Sequence, residues 1–253
     1  MALFKNAEAS HAHSRAVLDL IYQYDSFLDS LEVVADFGCG NGLDVEWWAT
    51  LETRDEPAEP RDYLCYALDQ NTKQIEQRIQ ELPNVKLIEA DFEATERPIS
   101  RQIDLLWCHD AFQYVLNPLQ TLRVWNEMMS INGMMVLTIP QSVHYQHNRL
   151  NNISRNGNYF NYNVVNLMYM LGVNGFDCRD AYFYKDMNDM WLYAAVYKSD
   201  VLPMDPRNAT WHDIIDANLV NDSVRNSINA HGFVKQDDLL TTWLDRDFYR
   251  VKE

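Results

Sequence analysis

Residues 33–42 read VVADFGCGNG, and this decapeptide constrains the fold more than any other part of the chain. Three of the chain's eight glycines, Gly38, Gly40 and Gly42, fall inside it. An apolar run ending in Asp36 precedes them, and a helical pattern begins at Leu43. Glycine gathers where the backbone needs positive φ or where a ligand approaches the main chain closely. Strand, glycine loop and helix in succession form the cradle that holds a nucleotide-like ligand in an α/β sheet.

The rest of the pattern extends that unit. Ala16, Val17, Leu20, Ile21, Tyr24, Phe27 and Leu28 recur at helical spacing and predict an amphipathic helix over residues 7–29. Apolar strands are predicted at Val33–Asp36, Tyr63–Leu68, Val85–Ala90, Ile103–Cys108 and Met134–Ile139. Helices alternate with them. Leu43–Leu51 is one. A second is capped by Asn71 or Thr72 and carries Ile75, Ile79 and Leu82. A third starts with Asn117 as N-cap and Pro118 at the first position, with Leu119, Leu122, Trp125 and Met129 facing inward. The charged, proline-containing stretch 53–62 reads as a surface loop, and Asn132–Gly133 as a turn into the fifth strand. Alternation of this kind predicts a parallel sheet with helices on both faces.

After Pro140 the pattern changes. Residues 141–161 are rich in Asn, His, Arg and Tyr. A helix over Val164–Leu171 is expected to close at Gly172. The strands Cys178–Tyr184 and Trp191–Tyr197 lie too close in sequence for a parallel crossover and predict an antiparallel hairpin at the sheet edge. Residues 203–253 read as helical and polar, with Trp211, Ile214, Ile215, Leu239, Leu240, Trp243 and Leu244 available for docking. The domain reading is an N-terminal helical cap over 1–30, a ligand-binding domain over 31–200 and a helical extension over 201–253.

In an open α/β sheet the ligand binds outside the carboxyl ends of the strands. Here those ends carry the glycine loop, Asp69, Asp91–Phe92 and His109–Asp110. A carboxylate after the second strand accepts two hydrogen bonds at once and so suits the paired hydroxyls of a ribose. A dinucleotide fingerprint G-x-G-x-x-G does not fit, because its third glycine would fall on Leu43 or Val45. A P-loop does not fit either, since no lysine ends the loop. Asp44 and Glu46 in the first helical turn oppose a polyphosphate. The ligand expected is adenosine-like and carries no phosphate.

Composition narrows the partners. At 253 residues the chain buries a sizeable core in one domain with a small appendage. A net charge of −16 works against a nucleic-acid partner. Cys39, Cys65, Cys108 and Cys178 stand alone in apolar runs and read as buried free thiols in a reducing compartment. With no signal-peptide h-region and no apolar run of membrane-spanning length, the expectation is a cytoplasmic protein without membrane contact.

Val33–Gly42 resembles the first motif of the class I S-adenosylmethionine-dependent methyltransferases: two apolar residues, then x-Asp-x-Gly-x-Gly-x-Gly. The likeness extends through Asp69 and Asp91 to IDLLWCHDAFQYVLNPLQTLRVWNEMMSINGMMVLTIPQ at 103–141, and to Gly175–Phe176 before the closing hairpin. It covers roughly residues 30–198 and is nearest to the small-molecule subgroup typified by ubiquinone and menaquinone methyltransferases. The turn at Asn132–Gly133 departs from the family's usual Pro-Gly-Gly, the stretch from Gly42 to Asp69 is longer than usual, and the tail beyond residue 200 matches no family element.

The resemblance implies a Rossmann-like, seven-stranded, mostly parallel sheet with one antiparallel strand and a helical C-terminal appendage. It implies S-adenosylmethionine as cofactor and S-adenosylhomocysteine as product. Asp36 would then support the loop and the cofactor's amino group, with Gly38, Cys39 and Gly40 lining its methionine part. Asp69 would hold the ribose, with Gln70 beside the adenine. Asp91 would meet the adenine amino group and Phe92 the ring. His109 would lie under the methionine end, and Arg15 is a candidate for the methionine carboxylate.

The acceptor half is read from the chain itself. His109, His144 and Tyr145 are the candidate proton acceptors, although methyl transfer from a sulfonium needs chiefly alignment. Residues 141–161 leave the sheet on the cofactor side and read as a surface loop or a substrate lid. The basic and aromatic residues there, His144, Tyr145, His147, Arg149, Arg155 and Tyr159, suit a carboxylate or phenolic small molecule. No metal site is expected. The extension is a packing element or a homodimer contact. Two other functions stand beside small-molecule methylation: a catalytically inactive binding or assembly protein of the same fold, and methylation of a protein or nucleic acid.

Overall fold

The computed structural model describes residues 27–53, 59–93, 97–140, 160, 162–185 and 191–239. The expected N-terminal helix with Arg15, the segment carrying His144, Tyr145 and His147, and the end of the tail with Leu240, Trp243 and Leu244 lie outside them. The strands are β1 (Val33–Phe37), β2 (Leu64–Asp69), β3 (Val85–Glu89), β4 (Ile103–His109), β5 (Met129–Pro140), β6 (Phe176–Lys185) and β7 (Trp191–Lys198). They form one seven-stranded sheet in the order β3-β2-β1-β4-β5-β7-β6. β1 pairs in parallel with β2 and β4, β2 with β3, and β4 with β5. β7 runs antiparallel to both β5 and β6. The short connection from β6 to β7 forces that reversal.

Helices cover both faces. They are α1 (Leu43–Ala49), α2 (Gln77–Gln80), α3 (Pro118–Met128), α4 (Val164–Val173), α5 (Trp211–Asp216) and α6 (Asp222–His231). Central strands of a parallel sheet are buried on both sides and so read as apolar runs; all five residues of β1 are buried. Residues paired across strands point to the same face. Asp36 pairs with Trp107, whose ring packs 5.6 Å from Trp48 of α1. On the opposite face Phe37 meets Trp125 of α3 at 5.3 Å. Each face is therefore anchored by fully buried tryptophan. Among the described residues no helix is long and apolar enough to cross a membrane.

Several local expectations need correction. The helix expected from Asn71 to Leu82 is two pieces. Asn71 does cap a short 3-10 turn, Thr72–Gln74, but Ile75 is extended (ψ 131°) before α2 begins. The break lets Ile75 and Ile79 both bury. β5 begins at Met129, before the expected turn, and carries Asn132 at φ 64° within it. Gly172 does not close α4. It lies inside the helix, where a Cβ would sit 2.7 Å from Ile214 of α5. The left-handed residue after the helix is Gly175, at φ 80°.

The described part of the C-terminal extension packs onto the sheet's flank. Tyr169 of α4 donates to the Ala209 carbonyl at 2.7 Å and stacks edge-on with Trp211 at 5.3 Å. Met204 N donates to Val173 O, and Cys178 N to Leu219 O, both at 2.8 Å. Ile214, Ile215 and Leu239 are buried.

Candidate active site at the carboxyl end of the sheet

Strand order reverses between β1 and β4, and the crevice outside their carboxyl ends is where such sheets bind ligands. Gly38, Gly40 and Gly42 all have positive φ, so the chain turns sharply out of β1. Gly38 N and Cys39 N donate to Leu68 O at 2.8 and 3.2 Å, which ties the loop to β2. Gly40 N donates to Asp69 Oδ2 at 3.0 Å, and Asn71 N to Asp69 Oδ1 at 2.9 Å. A carboxylate has further lone pairs beyond these two bonds, so Asp69 retains acceptor capacity toward hydroxyls. A Cβ on Gly40 would meet nothing within 4 Å. A Cβ on Gly38 would sit 2.3 Å from the Ala111 Cβ and 3.5 Å from the Phe92 ring. The ends of β1 and β4 and the loop after β3 thus converge on Gly38.

The other expected residues fall around this loop. Asp36 is buried, in register with Trp107. Asp91 is exposed, and its side chain accepts from Glu93 N at 2.9 Å. Phe92 is half-buried, its carbonyl accepting from Trp125 Nε1 at 3.0 Å, so its ring lies between the loop and the core. Gln70 is exposed just past Asp69. His109 is the last residue of β4, buried and paired with Thr138. Cys39 is buried, and burial first, then the charges of Asp36 and Asp69, hold its thiol far above the ordinary range. It is a neutral wall of the loop and not a nucleophile.

Two features were not singled out from sequence as site residues. Asp44, in the first turn of α1, is buried and accepts from Trp107 Nε1 at 2.9 Å. Gln113, buried in the short 3-10 turn after β4, donates from Nε2 to Asp110 Oδ1 at 2.5 Å. The only sequence signal for Gln113 is a polar residue between Phe112 and Tyr114. Asp110 itself is exposed and left-handed, at φ 52°, with its N–H donating to Thr138 O at 2.9 Å.

The donor set has a clear chemical sense. Asp36, Asp44, Asp69, Asp91 and Asp110 lie at or beside the carboxyl ends of the strands. Carboxylates of this kind receive hydroxyls and cations and repel phosphate. A ribose with an attached ammonium and sulfonium fits them, and the open space over Gly40 gives it room.

Residues 35–137 match the family described as methyltransferase domain. The match runs from within β1 to within β5 and takes in the glycine loop, Asp69 and Asp91. Solved structures share this fold. One is the 1,6-didemethyltoxoflavin-N1-methyltransferase of Burkholderia thailandensis, solved with 1,6-didemethyltoxoflavin and S-adenosylhomocysteine. It is 14% identical over 76% of this chain and 80% of that one, with a TM-score of 0.56. A putative methyltransferase from Bacillus halodurans is 12% identical over 74% of this chain and 99% of that one, with a TM-score of 0.57. The magnesium protoporphyrin IX methyltransferase of Synechocystis, solved with S-adenosylhomocysteine, is 12% identical over 78% and 91%, with a TM-score of 0.53. At these identities the likeness is one of fold. No curated protein matches the chain in sequence.

Proposed function

We propose that the chain is an S-adenosylmethionine-dependent methyltransferase acting on a small-molecule acceptor, with the cofactor held by the residues around the glycine loop. The observation that carries the reading is the convergence of acids on an open glycine cradle at the switch point of the sheet. When bound, S-adenosylmethionine supplies an electrophilic methyl group. Asp69 receives the ribose hydroxyls while keeping Gly40 N–H fixed. Gly38, Cys39 and Gly40 line the methionine part, with Asp36 beneath it. Asp91 and Phe92 take the adenine, flanked by Gln70. His109 borders the methionine end, and Arg15 receives its carboxylate. His109, His144 and Tyr145 accept a proton when the acceptor must lose one.

A net charge of −16 supports a small acceptor over a nucleic acid. The bound small molecule in the Burkholderia neighbour supports it too, as does the motif likeness to the ubiquinone and menaquinone enzymes. The four buried free thiols favour a reducing, cytoplasmic setting. The boundaries proposed are a cap over 1–30, the catalytic domain over 31–200 and an extension over 201–253. Titration calorimetry with S-adenosylhomocysteine tests the cofactor half: binding is expected, and a flat titration would falsify the reading. Methyl-labelled cofactor incubated with cell extract tests the acceptor half. Label in a small metabolite is expected, and label confined to protein or nucleic acid overturns it.

A further inference from the structure

We infer that Tyr162 and Gln113 select the acceptor, and that the acceptor is an uncharged, largely apolar molecule carrying a hydroxyl group. The inference rests on the methyl-transfer reading above. Gln113 lies in the short turn Phe112–Tyr114 that follows β4. Ala111, which leads into that turn, packs against Gly38, so the turn borders the loop proposed to hold the methyl donor. Tyr162 comes just before α4, and its ring lies 5.5 Å from that of Phe112. The two residues therefore flank one ring at the carboxyl end of the sheet.

Each carries a polar atom that the fold leaves unmet. Both residues are 1% exposed, and neither Tyr162 OH nor Gln113 Oε1 has a hydrogen-bond partner among the described residues. A buried polar atom without a partner costs about 1–3 kcal/mol. Two of them beside one ring, at the end of the sheet where such folds bind ligands, are groups that a ligand completes. Gln113 is held in orientation. Its Nε2 donates to Asp110 Oδ1 at 2.5 Å, so the amide cannot turn over without losing that bond. Burial first, then the charges of Cys108 and Glu93, raise the Tyr162 hydroxyl above the ordinary tyrosine range. At neutral pH it is an uncharged donor.

This pair favours one chemistry. A hydroxyl gives a proton, which Gln113 Oε1 accepts, and offers lone pairs, which Tyr162 OH reaches as donor. A carboxylate has no proton to give, and an ammonium has no lone pair to offer. The surroundings are apolar. Phe160, 40% exposed, lies 6.5 Å ring to ring from Tyr162. Leu116, 65% exposed, is tied to the same corner, its N–H donating to Glu93 Oε1 at 2.8 Å. Exposed apolar side chains around a few buried polar groups are the make-up of a small-molecule site. The basic residues of 141–161 suit a carboxylate instead, so the test sets the two against each other.

Ligand-observed NMR on the protein saturated with S-adenosylhomocysteine compares benzyl alcohol, benzyl methyl ether and benzoate at neutral pH. Benzyl alcohol is expected to bind about tenfold tighter than the ether, which leaves Gln113 Oε1 unmet, and benzoate most weakly. Tyr162→Phe should weaken alcohol and ether alike by about fivefold, because both offer an oxygen to the lost donor. S-adenosylhomocysteine affinity on the same sample should hold, and the urea midpoint should hold or rise, since the deleted hydroxyl makes no bond within the fold. Gln113→Met should weaken the alcohol alone and bring the alcohol-to-ether ratio near one, a selectivity that a purely structural role would not produce. Equal wild-type affinity for alcohol and ether overturns the inference, as do tightest binding of benzoate, no measurable binding of benzyl alcohol, or an unchanged alcohol affinity in Tyr162→Phe. Those outcomes leave the methyl-transfer reading standing. Absence of S-adenosylhomocysteine binding in the wild type removes that reading and the hydroxyl assignment together.

Discussion

A methyl group added at Gly38 would lie 2.3 Å from the Ala111 Cβ, in a backbone at φ 77°. Neither problem has a local remedy, because Ala111 is fixed by the turn after β4. Gly38→Ala is expected to destabilise the fold by about 2 kcal/mol or more, read as a lower urea midpoint. Asp69 poses a different test. It both orders Gly40 N–H and stands where the ribose is proposed to bind. Asp69→Ala should weaken S-adenosylhomocysteine binding by about ten- to a hundredfold in calorimetry, since bonds to a charged group are strong. An unchanged affinity would remove Asp69 from the site. Both residues were legible in the sequence, one as a glycine in a clustered motif and one as an acid closing an apolar run. Gln113 was not, because its role depends on the left-handed turn at Asp110.

At the scale of single elements, α3 and α4 show two routes to the same end. α3 begins where the sequence says it should: Asn117 caps it, accepting from Gln120 N at 3.3 Å, and Pro118 opens it. Asn117→Ala is expected to cost about 1 kcal/mol in chemical denaturation. In α4 the glycine signal misleads. Gly172 looks like a terminator but is a contact residue, absent of side chain so that Ile214 can approach. Gly172→Ala should destabilise by about 1–3 kcal/mol through overpacking. Combining it with Ile214→Ala should cost less than the sum of the two single changes, and strict additivity would show that the contact is not the reason for the glycine. The broken helix before β3 has the same lesson. Helical spacing of Ile75 and Ile79 marks burial, which a kinked segment also achieves.

For the whole molecule, buried acid and buried thiol give stability a defined alkaline limit. Burial and the Asp36 charge push the Cys65 thiol up to about 12 from its ordinary 9.0. Burial holds Cys39, Cys108 and Cys178 above the ordinary range as well. Each folded-state value lies above its unfolded one, so the stabilisation is complete below pH 9 and is lost as pH climbs from 9 toward 12. Half-buried Lys198, lowered by burial, has the opposite sign, but it stands against the four thiols and against Tyr114, Tyr162 and Tyr169, whose hydroxyls burial also raises. The urea midpoint should therefore fall steadily above pH 9 while varying little between pH 7 and 8, and a flat alkaline profile would contradict this burial. The sequence by itself determined the strand-helix alternation, the glycine loop and the acids at the strand ends. Those are local matters of periodicity, turn chemistry and adjacency, and each is complete within a few residues. Only the tertiary structure decided that β7 inserts between β5 and β6, that Gly172 is a packing contact and that Gln113 holds Asp110. These depend on which distant segments the buried faces bring together, and no single stretch of chain contains that information.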